Sequence, residues 1–94
     1  MISKRVLRKI KREFSLEKPT VWIGKNGLTA DLIEETKRQL DQAEVVKCKL
    51  HIIVKASTEE IARTLSAETV GEIVDIRGRS FILYKPVKTE RETK

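Results

Sequence analysis

A chain of ninety-four residues, 39% hydrophobic and 36% charged, can bury one modest core and is expected to form a single domain. No apolar run approaches the ~20 residues of a membrane span, charges interrupt the N-terminus where a secretory signal needs roughly 7 to 15 apolar residues, and the lone Cys48 can close no internal disulfide and build no zinc site by itself, so the chain is expected in the cytoplasm with no membrane partner. The formal net charge of +6 favours polyanionic partners, and residues 1–14 hold Lys4, Arg5, Arg8, Lys9, Lys11 and Arg12 against Glu13 alone.

Ile2, Val6, Leu7, Ile10 and Phe14 recur at three-to-four spacing, which places them on one stripe of a helix whose remaining circumference is basic. That stripe is expected to cover the second face of a sheet, Trp22 included, with its cations outward. Ser15 to Pro19 break the helix, because proline disfavours helical geometry at the residue before it. Thr20 to Ile23 predict a short strand with Val21 and Ile23 on one side and Trp22 on the other. After Gly24-Lys25-Asn26-Gly27, Thr29 is placed as an N-cap, Leu28 can pack on Ile33 as a staple, and Leu32, Ile33, Thr36, Leu40 and Ala43 continue a buried helical stripe.

From Val45 to Lys55 the period changes to two. Val46, Cys48, Leu50, Ile52 and Val54 share one face, opposite Lys47, Lys49, His51 and Lys55, which predicts a long strand. The capping-box residues Ser57 and Glu60 open a third helix with Ile61, Ala62 and Leu65 on its apolar side. Val70 to Ile76 and Ser80 to Tyr84 predict two strands joined by a tight hairpin at Arg77-Gly78-Arg79, where glycine takes positive φ at little cost. Pro86 and the polar residues after it predict one domain over 1–86 with a flexible tail at 87–94. The succession α-β-α-β-α-β-β calls for an α/β fold, of two-layer α+β kind, with a mixed four-stranded sheet.

A strand end meeting a helix start presents bare backbone N–H groups beside a helix dipole, a setting suited to phosphate. Gly24 and Gly27 would let a ligand backbone approach closely, Lys25 adds a mobile charge, and Asn26 tolerates left-handed geometry. A glycine pair at this spacing is commonplace alone; the strand before it, the capped helix after it and the basic helix favour phosphate contact over a plain turn. Arg5, Arg8, Lys9 and Arg12 are expected to form a diffuse phosphate-neutralising face, extended by Lys47 and Lys49, with Lys37 and Arg38 off the buried stripe of the second helix. Arg77 and Arg79 are weaker candidates. Phe14, Trp22, Phe81 and Tyr84 are expected in packing more than in base stacking. Cys48 is expected to be a small buried hydrophobe, and His51 lacks a second ligand at metal-binding spacing. With no paired carboxylates in a cleft context, no catalytic residue, metal or cofactor is expected, nor a small-molecule substrate.

The stretches "VWIGKNGLTADLIEETKRQLDQAEVVKCKL" and "VGEIVDIRGRSFILYKP" resemble the CRM domain, the chloroplast RNA splicing and ribosome maturation family, also called YhbY-like. The I-G-x-N-G-L-T loop, the V-x-K-x-K-L strand and the closing G-R-x-F-x-L-Y-x-P hairpin occur in order and together cover most of the chain. The resemblance implies a small α/β fold similar to the C-terminal domain of translation initiation factor three. It also implies association with the large ribosomal subunit precursor and an RNA-contacting loop at Gly24, Lys25, Asn26 and Gly27. The first helix carries more lysine and arginine than many family members show. The expectation is a monomeric, non-catalytic RNA-binding protein of ribosome assembly, with ribosomal RNA as its partner. The alternatives are a basic nucleoid protein on duplex DNA and a module that docks an acidic protein.

Overall fold

A computed structural model describes residues 4–85; Ile2 and the predicted tail with Pro86 lie outside the described residues. The elements run α1 (Lys4–Phe14), β1 (Val21–Ile23), α2 (Ala30–Ala43), β2 (Val45–Leu50), α3 (Thr58–Thr69), β3 (Glu72–Arg77) and β4 (Ser80–Tyr84), in the expected succession. Both N-caps form: Leu32 N–H donates to Thr29 Oγ1 at 3.1 Å and Glu60 N–H to Ser57 Oγ at 3.0 Å, each satisfying a first-turn amide that the helix leaves unpaired, while the return bond from Ser57 N–H to the Glu60 carboxylate that would complete the capping box is not made among the described residues. Glu44 and Val70 end α2 and α3 in the left-handed region, at φ 70° and 59°.

The sheet order is β1-β2-β4-β3. β1 and β2 pair in parallel, from Val21↔Cys48 to Ile23↔Leu50, and β4 runs antiparallel between β2 and β3. The mixed four-stranded sheet is therefore present, closed by a hairpin whose Gly78 has φ 57°. Val46, Cys48 and Leu50 of β2, with Phe81 and Leu83 of β4, face α2 and α3, where they meet Leu40, Ala62 and Leu65; all are buried. A β-bulge between Ile73 and Asp75 inserts Val74, so that Ile73 opposite Leu83 and Ile76 opposite Phe81 both reach this core despite their odd spacing.

Ala43, expected on the buried stripe of α2, is exposed, and Val70, expected to open a strand, is the left-handed C-cap of α3, so that β3 begins at Glu72. Two larger sequence expectations also need correction. The predicted strand from Val45 to Lys55 ends at Leu50; beyond it the chain turns, Val54 N–H donating to His51 O at 3.0 Å. Val54 is still buried, but Ile52 is 80% exposed, because a turn abolishes the alternation that would have carried it inward. The second correction concerns α1. It lies on the sheet face away from α2 and α3, but over β3, where Leu7 and Val74 line one depression and Lys11 Nζ stands 4.0 Å from Asp75. Among the described residues of its stripe only Ile10 is fully buried, and Trp22 on β1, three strand spacings or roughly 14 Å away, stays uncovered at 53% exposure.

Lys47 explains how α1 is held. Its Nζ donates to Ser15 O at 2.8 Å and Glu17 O at 2.9 Å, tying the connection after α1 down onto β2 and capping carbonyls near the helix C-terminus. Lys47→Met, which keeps the aliphatic stem, is expected to cost about 1–2 kcal/mol and to leave Ser15–Glu17 more open to protease. A lowered urea midpoint and faster cleavage in that connection would show it; an unchanged midpoint would make the two bonds incidental.

Candidate nucleic-acid interface

Because β1 and β2 are parallel and β4 is antiparallel to both, the ends of the first two strands and the start of the third open on the same side. Three turns meet there: Gly24–Gly27 after β1, His51–Lys55 after β2, and the hairpin tip before β4. They are bonded to one another. His51 N–H donates to Ile23 O at 2.9 Å and Leu50 N–H to Arg79 O at 2.7 Å. Arg79 Nη2 reaches the carbonyls of His51 and Val54 at 2.8 and 2.7 Å, which makes this arginine a clamp on the β2–α3 loop.

Within the glycine loop, Gly27 N–H donates to Gly24 O at 2.9 Å and Thr29 N–H to Gly27 O at 3.2 Å. The turn consumes those two amides. The amides of Lys25, Asn26 and Leu28 have no partner among the described residues, and Gly24, Lys25 and Asn26 are exposed. Gly27 has φ 70°, which a β-carbon would strain; Gly24 needs no left-handed backbone, and nothing lies within 4 Å of where its Cβ would be. The turn therefore accounts for Gly27 but leaves Gly24 without an internal reason. Asp31 in the first turn of α2 offsets part of the helix dipole, so what the loop offers an anion is mainly bare amides and the Lys25 ammonium.

The cations predicted from sequence divide into four environments. Arg5, Arg8, Lys9 and Arg12 are exposed on α1 and make no ion pair among the described residues, while Lys11 is turned to Asp75. Lys49 is exposed on β2 beside the glycine loop, its Nζ 5.7 Å from the Trp22 ring centroid. Lys47 is the anchor already described. Lys37 and Arg38 lie on α2 paired with Glu34 at 3.4 Å and Glu35 at 2.5 Å, in a shallow depression that also contains Asp31 and Asp41. Four carboxylates line it against two cations, and Lys85 Nζ reaches Asp41 at 2.9 Å from the end of β4, so that stretch offers a polyanion no positive excess. The hydrogen bond from Arg38, with a second from Gln39, holds the Glu35 carboxyl below its usual range, and the Glu35 carboxylate in turn raises Arg38. The loop and Lys49 thus come together, whereas the α1 cations stand apart near the opposite sheet edge.

Sequence reasoning missed the structural duties of Lys47 and Arg79, whose partners are separated from them by 25 to 32 residues. It also missed the exposure of Trp22, although strand alternation already set this residue opposite Val21 and Ile23. Cys48 is fully buried, as expected, and burial pushes its thiol up to about 12. Among the described residues no group of three or more His, Cys, Asp or Glu could hold a metal ion, and no helix is long and apolar enough to cross a membrane.

A mixed β1-β2-β4-β3 sheet, backed by two capped helices and carrying an exposed glycine-bounded turn between β1 and α2, defines a small α/β binding domain. The chain belongs to the CRS1 / YhbY (CRM) domain family, whose model matches residues 2–85, as the sequence motifs indicated. It is similar to a Pseudomonas aeruginosa protein named as a probable RNA-binding protein, 26% identical over 68 residues, or 72% of this chain. The match spans 65% of that relative's length. It also resembles in fold a hypothetical protein from Staphylococcus aureus of known solution structure, with a TM-score of 0.78 and 24% identity, over 100% of this chain and 98% of the other.

Two expectations follow. Gly27→Ala should destabilise the protein by about 1 kcal/mol by forcing a β-carbon into left-handed geometry, while Gly24→Ala should stay within ~0.5 kcal/mol of the parent; matched urea titrations distinguish them. For Cys48, the folded state holds the thiol proton and the unfolded chain, with a thiol near 9.0, releases it first. Stability should therefore fall as pH rises from about 9 towards 12, by at most about 1.4 kcal/mol per unit from this group. At neutral pH the native thiol should resist Ellman's reagent until urea unfolds the chain, and rapid labelling of native protein would refute that.

Proposed function

We propose that this protein is a non-catalytic, cytoplasmic RNA-binding protein that acts as a monomer on ribosomal RNA or the large-subunit precursor during ribosome assembly. Family membership supports the RNA partner, as does the name of the Pseudomonas aeruginosa relative. The observation that carries the proposal is the glycine loop: exposed, with the Lys25, Asn26 and Leu28 amides unpaired among the described residues, and with a glycine at position 24 that the fold itself does not require. A backbone phosphate seated there would answer those amides and use the space beside Gly24. Arg5, Arg8, Lys9 and Arg12 supply longer-range attraction that speeds encounter without reading sequence. Lys37 and Arg38 contribute less, since adjacent carboxylates already balance them, and Lys47 contributes through the position of α1.

RNA binding should weaken steeply with salt. Replacing Arg5, Arg8, Lys9 and Arg12 together by Gln should flatten the plot of log affinity against log salt by up to about 3. Lys25→Asp combined with Asn26→Asp should weaken ribosomal RNA binding at least tenfold at fixed salt while the circular dichroism spectrum is retained. Unchanged affinity in that folded double variant would remove the loop from the interface. Preference for duplex DNA over ribosomal RNA fragments in direct competition would replace the proposal by a DNA-coating role.

A further inference from the structure

Trp22 is the chain's one tryptophan, yet it is 53% exposed on the strip of sheet that α1 leaves open. Leaving half an indole in water forgoes burial worth on the order of 1 kcal/mol. Its surroundings are specific. Lys49, its Cα partner across the parallel ladder, sets an ammonium 5.7 Å from the ring centroid, within the range of a cation–π contact. Gly24 follows two residues later, where the pleat returns to the same side about 6.6 Å along the chain.

Segments 20–28, 47–56 and 77–80, which converge here, contain six lysines and arginines and no carboxylate. Three of the six are occupied: Lys47 by Ser15 and Glu17, Arg77 by Asp75, and Arg79 by His51 and Val54. The ammonium groups of Lys25, Lys49 and Lys55 make no hydrogen bond or ion pair among the described residues. Ile52 and Ile53, 80% and 48% exposed, add apolar surface on the adjoining loop. Exposed aromatic and aliphatic surface among uncommitted cations matches one chemistry well: a flexible polyanion with flat apolar groups free to swing out. A duplex keeps those groups stacked on each other and offers a wall of phosphates instead.

We infer that Trp22 is a stacking platform for an unpaired base of single-stranded RNA, next to the phosphate held by the Gly24–Gly27 loop, with Lys49 bracing the indole and neutralising the neighbouring phosphate. This rests on the loop's proposed role in RNA binding and specifies the form of RNA it takes. The tryptophan is its own reporter. Titration of the full chain with a fluorescently labelled, unstructured twelve-nucleotide RNA should quench Trp22 emission along the same curve as the rise in RNA anisotropy, and a duplex of equal length should not quench it.

Trp22→Ala leaves the buried core intact, so it should keep the parent's circular dichroism spectrum and a cooperative urea transition, with the midpoint lowered only by the loss of the half-buried ring. It should weaken single-strand binding roughly 5- to 100-fold, Trp22→Phe should recover much of the loss, and duplex binding should be unaffected by either. Full affinity in Trp22→Ala, or RNA binding by the parent with unaltered emission, overturns the platform while leaving the loop's role intact. Loss of single-strand and duplex binding alike in Trp22→Ala, in a folded protein, also overturns it. Should the parent bind no RNA of either form, the RNA role itself fails, and the platform with it.

Discussion

The entry of β4 between β2 and β3 is the constraint on which the rest of the molecule depends. Hydrogen bonds on both edges of β4 bring Phe81 and Leu83 beneath α2 and α3, opposite Cys48 and Val46, and so complete the core. The same insertion sends the hairpin tip back to the end where β1 and β2 finish. Arg79 can then clamp the loop after β2, and that loop in turn meets β1 through the bond between His51 and Ile23. Were β3 to pair directly with β2, as simple succession would have it, the glycine loop would lose this neighbour. The insertion also moves β3 to the sheet edge, and α1 with it, so the exposed strip around Trp22 and the buried centre share one topological cause.

Counting charges misjudges this surface, because partner geometry determines which cations remain available. Lys47 and Lys49 stand two residues apart on the same strand face, and periodicity cannot separate them. One is bonded to two carbonyls of the chain entering β1; the other projects beside an indole. An ammonium already holding carbonyls would have to break those bonds before meeting a phosphate, while one in water exchanges only solvent. The same distinction demotes Lys37 and Arg38, whose i,i+3 carboxylates screen them from a distant polyanion. These exposed pairs add little to stability. Their effect is on the field, since they cancel the cations on the outer face of α2 and concentrate attraction at the three-turn end and along α1.

What could be read from the sequence was whatever local periodicity and caps determine. Thr29 and Ser57 cap as expected because an N-cap is settled within four residues, and Val46, Cys48 and Leu50 turn inward because pleating has a fixed period. The family resemblance, carried by the loop, the second strand and the closing hairpin, is likewise legible in the sequence. The long strand was overextended because Ile52 and Val54 continue the pattern by composition, although the chain turns at His51. The position of α1 could not be read at all. A stripe of apolar residues states that a helix packs, not on which strand, and here the answer depends on a bulge at Val74 and on bonds from Lys47 to residues some thirty positions earlier. The exposure of Trp22 has the same cause: the helix expected to cover it covers another strand.

The separation of α1 from the glycine loop carries a consequence for how the proposed RNA partner would lie. The loop follows the end of β1 at one sheet edge, and α1 rests on β3 at the other, roughly 14 Å across. A single phosphate cannot touch both. A chain that engages the loop and the α1 cations together must cross the face between them, where Trp22, Lys49 and the bonded connection at Ser15–Glu17 form the surface. A rigid duplex could bridge the two as a straight rod, touching both and leaving the indole idle, whereas a flexible strand would follow the face and find the ring on its way. On the proposed reading the indole would therefore distinguish the two forms of nucleic acid at a point where the basic residues, attracted equally to either backbone, cannot.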